Sequence, residues 1–315
     1  MRDLADPPMI WSEGAARVLD YGGDGPSVLF VPSLVNRAYI LDLMPGQSMM
    51  RWFAGRGVRP LLLDWGWPGA AERDFTLTDY VAGVLERAIG FLAGAGTEVW
   101  AGAGPIVLGG YCIGGLLTLA ASLRRPALVR GLALLATPWD FAAGGAAREV
   151  PALLPLVEPL LHATRTLPVD ALQTLFALGD MGGIGRKYRE FGAMDQGSEA
   201  ARRFVALEDW ANDGVPLAAP VARETLGGWY GANTPASGTW RVAGEVVTPS
   251  LVQAPCFVAV PARDRIVPPE SALALARAIP HAEVHRPSSG HIGMAAGPRA
   301  ESNLWIPLLG WLRGL

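Results

Sequence analysis

The chain has 315 residues, half of them hydrophobic and 17% charged, with a formal net charge of −3. That is enough apolar chain for a large core and too little charge for extended disorder. The slight acidic excess and the lack of a basic run exclude an obvious nucleic-acid binder, and two cysteines, Cys112 and Cys256, exclude a disulfide scaffold or a cysteine-built zinc module.

The first fourteen residues mix acids and prolines, with no basic segment leading into an apolar one. No signal peptide is read there, and free thiols fit a reducing cytoplasm. Val28–Val31 reads as a strand, Ile40–Gly55 as helical, and Pro60–Asp64 as a second strand. Thr76-x-x-Asp79 opens an amphipathic helix to about Leu92, with Thr76 as its N-cap. Val99 to Leu123 is uncharged and long enough to span a bilayer, but six glycines interrupt it. It reads instead as a buried strand (Ile106–Leu108), a tight turn and a buried helix (Ile113–Leu123). Further strands are expected at Gly131–Ala136, Phe257–Pro261 and Glu283–Arg286, and a last helix at Ser302–Leu312.

Strands alternating with helices imply an α/β fold, a mostly parallel sheet with helices on both faces. The alternation breaks between about Asp140 and Ala254. There the sequence is mainly helix-like (Pro151–Leu167, Glu199–Asn212, Ala218–Tyr230), followed by a short polar–apolar alternation at Thr239–Val247. The expected division is a core of residues 1–139 and 255–315 with a lid at 140–254, able to shape a pocket and exclude water.

The segment from Gly110 to Gly115 carries the strongest chemical signal. Gly-Tyr-Cys-Ile-Gly-Gly between strand and helix is a nucleophile elbow with cysteine in the serine position. Glycines flank the nucleophile because the turn leaves no room for side chains. Asp264 follows a strand, and His291 follows the last one. The order nucleophile, acid, histidine is that of the α/β-hydrolase fold. His291 would take the thiol proton and Asp264 would hold the imidazole in the right tautomer. The backbone N–H groups of Ile113 and of Val35, in the loop after the first core strand, are the expected oxyanion donors. No metal is expected: on an extended strand residues four apart lie ~13 Å from each other, so His281, His285 and His291 would not share one zinc. His162 reads as structural or exposed, and Cys256 as a small core residue. Trp210, Trp229, Trp240 and Tyr230 lie in lid-like sequence, where they would line an acyl channel or simply form core.

Several segments together resemble the polyhydroxyalkanoate synthases. The family's G-x-C-x-G-G box is matched by Gly110–Gly115. Val31–Leu43, Leu63–Pro68, Thr76–Tyr80, Ala136–Phe141, Leu207–Trp210 and the Asp264 and His291 segments are also similar to the family. The match runs from about Ser27 to the C-terminus, weakest over Gly144–Ala200. The resemblance is to the short catalytic subunits that work with a second protein. It implies a Cys112 nucleophile, His291 base and Asp264 partner, and polymerisation of (R)-3-hydroxyacyl-CoA. It implies coenzyme A thioester as substrate rather than a bound cofactor, polyester as product, a second synthase subunit as partner, a homodimer, and a cytoplasmic place at the polyester granule surface. Two other readings stay open: a cysteine-triad thioesterase, esterase or depolymerase, and a catalytically weak paralogue that binds granules or a synthase subunit. An ordinary thiol is mostly protonated at neutral pH, so His291 or the helix N-terminus must assist its ionisation.

Overall fold

The computed structural model describes residues 4–94, 103–143, 150–178 and 181–315. The start of the uncharged run, Val99–Gly102, lies outside these residues, as does the start of the N-terminal stretch.

Eight strands form one sheet: β1 (Met9–Glu13), β2 (Ala16–Asp20), β3 (Ser27–Val31), β4 (Arg59–Asp64), β5 (Ile106–Tyr111), β6 (Val129–Leu135), β7 (Cys256–Ala259) and β8 (Glu283–His285). Their spatial order is β1-β2-β4-β3-β5-β6-β7-β8. The β1–β2 and β2–β4 pairs are antiparallel, and all the others are parallel. Parallel strands need crossovers, and crossover helices bury both sheet faces. Side chains therefore alternate between two apolar layers. Leu29, Val31, Leu61, Leu63, Leu108 and Leu134 face one side, and Val28, Phe30, Leu62, Val107, Leu135 and Phe257 the other.

The helices up to the end of β6 are α1 (Met49–Ala54), α2 (Glu86–Ala93) and α3 (Ile113–Arg124). α2 continues a π-wound turn at Asp79–Leu85. Thr76 caps this helix as expected: its Oγ1 accepts from the Asp79 N–H at 3.3 Å, while Asp79 Oδ2 accepts from the Thr76 N–H at 2.8 Å. The uncharged run resolves into β5, a turn at Cys112 and α3. Among the described residues no helix is long and apolar enough to cross a membrane.

The expectation of one helix over Ile40–Gly55 is corrected. A 3-10 turn at Ala38–Leu41 leads into a small hairpin, Asp42–Met44 with Gln47–Ser48, and only then into α1. Pro45 and Gly46 break the helix, with Gly46 at φ 77°. Ser48 restarts it by accepting the Arg51 N–H on its hydroxyl at 3.0 Å. The buried Asp42 carboxylate fixes the hairpin to α1 through Arg51, at 2.9 Å. The β1–β2 hairpin is an addition to the sequence reading.

Between β6 and β7 the chain is mainly helical: α4 (Leu154–Thr164), α5 (Val169–Leu178), α6 (Met181–Gly192), α7 (Glu199–Asn212) and α8 (Ala219–Arg223), which runs into a π-wound turn at Glu224–Gly231. The alternating segment forms a two-stranded ribbon, Arg241–Val242 with Glu245–Val246. The chain closes with α9 (Pro269–Ala278), α10 (His291–Ala296) and α11 (Ile306–Arg313).

Candidate active site

Three loops at the carboxyl ends of β5, β7 and β8 meet. The first is the elbow. Cys112 is the N-cap of α3 and holds φ 56°, ψ −127°, a strained conformation for a side chain with a Cβ. The neighbours over-determine it. The Cys112 N–H donates to the Leu135 carbonyl at 2.9 Å, and the Cys112 carbonyl accepts from Gly115 N–H at 3.0 Å. A Cβ on Gly110 would lie 2.3 Å from Gly115 Cα, and one on Gly114 would lie 2.0 Å from the Val31 carbonyl oxygen. Helix and strand approach so closely here that only glycine fits. Gly114→Ala should cost about 1–3 kcal/mol or more, read as a lower urea midpoint.

The second loop presents Asp264. Its Oδ1 accepts the backbone N–H groups of Ile266 and Val267 at 2.9 and 2.8 Å, and its Oδ2 lies 2.7 Å from His291 Nδ1. The carboxylate side chain is fully buried. Backbone bonds from Ala262 to Pro287 and from Arg263 to Ser289 lace this loop to the third, which presents His291 as the first residue of α10. His291 is itself buried, and Cys112 lies within electrostatic reach of it.

Burial alone would lower the His291 pKa. The charge of Cys112, the hydrogen bond that the ring donates to Asp264 and the charge of that carboxylate outweigh it, raising the imidazole to about 10. An imidazolium beside the Asp264 carboxylate is the favoured form of His291, and a cysteine reacts as its thiolate.

Tyr111 is a site neighbour that the sequence reading passed over, although it stands inside the elbow motif. It is buried, its hydroxyl donates to the His291 carbonyl at 3.2 Å, and its ring centroid lies 5.1 Å from the imidazole. It ties the start of α10 to the elbow.

Of the two expected oxyanion donors, Ile113 is the first residue of α3, where an N–H has no intrahelical acceptor. The Val35 N–H lies 3.4 Å from Ser33 Oγ, a long bond within its own loop. That loop is clamped by the helical segment: the Val35 carbonyl accepts from Val215 N–H at 3.1 Å, and the Arg37 carbonyl from Trp210 Nε1 at 2.8 Å.

The other singled-out residues lie elsewhere. Trp229 and Trp240 are 1% and 5% exposed, so they are core and line no channel; Trp210 is also buried. Tyr230 is half-buried. His162 is exposed on α4, and His285 Nε2 lies 2.6 Å from the Asn303 carbonyl. Cys256 is buried on β7, and burial pushes its thiol up to about 12. Among the described residues no group of three or more His, Cys, Asp or Glu side chains is placed to hold a metal.

A nucleophile elbow, a buried acid–histidine pair and this strand order define a class. The chain belongs to the alpha/beta hydrolase family, whose model matches residues 28–301. Its curated relatives narrow this to the polyhydroxyalkanoate synthases. It is 27% identical over 314 residues to the poly(3-hydroxyalkanoate) polymerase subunit PhaC of Haloferax mediterranei, covering 96% of this chain and 63% of that protein. It is 26% identical over 289 residues to the protein of the same name from Allochromatium vinosum, covering 90% and 80%. The chain thus spans less than two thirds of the first relative and four fifths of the second. Among solved structures, the thioesterase domain from the curacin biosynthetic pathway superposes with a TM-score of 0.58 at 15% identity, covering 96% of this chain and 99% of that one, a likeness of fold.

Proposed function

We propose that the protein is an acyltransferase that polymerises (R)-3-hydroxyacyl-CoA into polyhydroxyalkanoate through a thioester on Cys112. The observation that carries this reading is a cysteine at the elbow, beside a buried histidine that Asp264 holds by a 2.7 Å hydrogen bond, in a chain whose relatives are named polymerase subunits.

The Cys112 thiolate attacks the carbonyl carbon of the CoA thioester. The carbonyl oxygen becomes an oxyanion, held by the Ile113 N–H and, once released from Ser33, the Val35 N–H. Collapse breaks the bond to the CoA sulfur, which leaves with the proton of the His291 imidazolium. The acyl group now sits on Cys112 as a thioester, so its activation is kept. In the second half, His291 takes the proton from the hydroxyl of another 3-hydroxyacyl unit as its oxygen attacks that carbonyl. An ester forms, the Cys112 thiolate leaves, and the imidazolium is restored. Thioester exchange runs with little free-energy change and ester formation runs downhill, an order that serine would not preserve.

Transfer outcompetes hydrolysis only where water is excluded, and residues 140–254 would serve as the lid. A second synthase subunit, a homodimer and a place at the granule surface belong to the same reading. The test is incubation with 3-hydroxybutyryl-CoA, following CoA release and products together. Polymer, with acyl chains on Cys112 by mass spectrometry, is the expected result. CoA release with only free 3-hydroxybutyrate, with or without a partner subunit, would make the protein a hydrolase.

A further inference from the structure

We infer that Tyr111 is the positioning residue that sets His291 in register with Cys112. The inference rests on the reading of those two residues as base and nucleophile given above.

The base must be registered to the acid and also to the nucleophile. The first registration is direct. Asp264 Oδ2 lies 2.7 Å from His291 Nδ1, and backbone bonds from Ala262 to Pro287 and from Arg263 to Ser289 lace the two loops together. These bonds fix His291 to the end of β7. None of them reaches the elbow, which stands on β5.

Tyr111 supplies the second registration. It is the last residue of β5 and directly precedes Cys112. Its backbone is set in the sheet opposite Leu135 of β6. The next N–H, that of Cys112, donates to the Leu135 carbonyl at 2.9 Å. The Tyr111 phenol donates to the His291 carbonyl at 3.2 Å. Its ring centroid lies 5.1 Å from that of the imidazole, with the planes tilted by 36°. One side chain thus holds the base both by its main chain and by a face of its ring. Any movement of Tyr111 carries Cys112 with it, so nucleophile and base share one reference.

The contact is sealed. Tyr111 is 3% exposed and belongs to the same apolar layer as Met294 and Ala295 of α10. A carbonyl oxygen only accepts, so the phenol must keep its proton. Burial, and after it the charges of Cys112 and Asp264, hold the phenol pKa well above its ordinary value. The helix α10 offers His291 little stiffness of its own. It is six residues long and has no side-chain cap at Gly290, and a helix this short takes its stability from what packs on it. The ring also favours the charged base, because a cation within about 6 Å of an aromatic centroid is attracted to it.

The register matters twice in the proposed cycle. His291 gives a proton to the CoA sulfur and later takes one from a hydroxyl, and a misplacement of about 1 Å costs roughly 10²-fold.

Tyr111→Phe removes the phenol oxygen and keeps the ring. Val107→Ala is the control for stability alone, since Val107 is buried in the same layer of the same strand, about 13 Å from Tyr111. The urea midpoint is measured for the parent and both variants. So are the rate of Cys112 alkylation by iodoacetamide without substrate, read by mass spectrometry, and kcat and KM for CoA release from 3-hydroxybutyryl-CoA. Tyr111→Phe should lower alkylation and kcat about tenfold, a partial misplacement on that scale, with KM unchanged. Val107→Ala should lower the urea midpoint and leave both rates at the parent's values. Parent rates in folded Tyr111→Phe overturn the assignment. So do equal losses of rate in Val107→Ala, which would make Tyr111 a stabilising residue only. A raised KM with kcat kept overturns it too, by putting the phenol on substrate. A parent that releases no CoA overturns the polymerase reading, while alkylation still decides the role of Tyr111.

Discussion

Cys112→Ser should fold, take up acyl groups slowly, and lose nearly all polymer formation. Serine fits the elbow, since the strained backbone and the glycines around it depend on Cβ and not on the atom beyond it. What changes is the pair with His291. The largest contribution raising the imidazole is the negative charge on Cys112. A serine hydroxyl does not ionise at neutral pH, so that contribution to His291 is lost and only that of Asp264 remains. The nucleophile must then be deprotonated during each attack, and the acyl group is stored as an ester with its activation spent. Polymer formation should fall by about 10²–10⁴-fold, the range over which a positioned acid–base partnership acts. Any residual CoA release should go to free hydroxy acid. Cys112→Ala should abolish acylation altogether. The measurement is CoA release beside polymer yield for parent, Cys112→Ser and Cys112→Ala. A serine variant that polymerises as well as the parent would defeat the thioester argument.

The three residues proposed as the triad could be picked out in the sequence because each sits where backbone geometry and sequence coincide. Glycine at 110 and 114 is required by approaches of 2.3 and 2.0 Å, and such a requirement shows in sequence as a motif. Asp264 and His291 follow strands whose apolar runs are unmistakable, and parallel strands bring their carboxyl ends together whatever lies between them. The hairpin at Asp42–Ser48 was hidden because its apolar residues fit a helical period, and its stabilising ion pair from Arg51 to the buried Asp42 is a tertiary fact. The first strand is an edge strand with partly exposed residues, and its apolar run, Met9–Trp11, is only three residues long. The place of Tyr111 depends on groups far apart in sequence, its phenol donating to the backbone carbonyl of His291. The tryptophans of the helical segment misled for a related reason. Aromatic residues fill cores and pockets alike, and only burial separates the two uses.

Asp264→Asn should leave substrate binding nearly intact and cut turnover by roughly 10³–10⁴-fold, the scale on which the orienting carboxylate of such a triad acts. The fold should survive, because the side-chain oxygen that accepts from Ile266 and Val267 has a counterpart in asparagine. The amide cannot hold the Nδ1 proton as the carboxylate does, so the imidazole favours the wrong tautomer. Its protonation changes too. In the parent, His291 is raised from 6.5 to about 10 against the effect of burial, by the Cys112 charge and by the hydrogen bonds and charge of its partners. A folded-state value above the unfolded one means that protonated His291 contributes stability fully present below about pH 6.5 and lost as pH rises through about 10. Removing the Asp264 contribution lowers the folded-state value and narrows that window from its alkaline side. NMR titration of the imidazole should therefore show the parent imidazolium persisting to more alkaline pH than in Asp264→Asn. Thermal melts should show the variant losing less stability than the parent between neutral pH and pH 10. Coincident titrations in the two proteins would mean that the carboxylate only positions the ring. The charge state of the Cys112–His291 pair would then have to arise within the elbow itself.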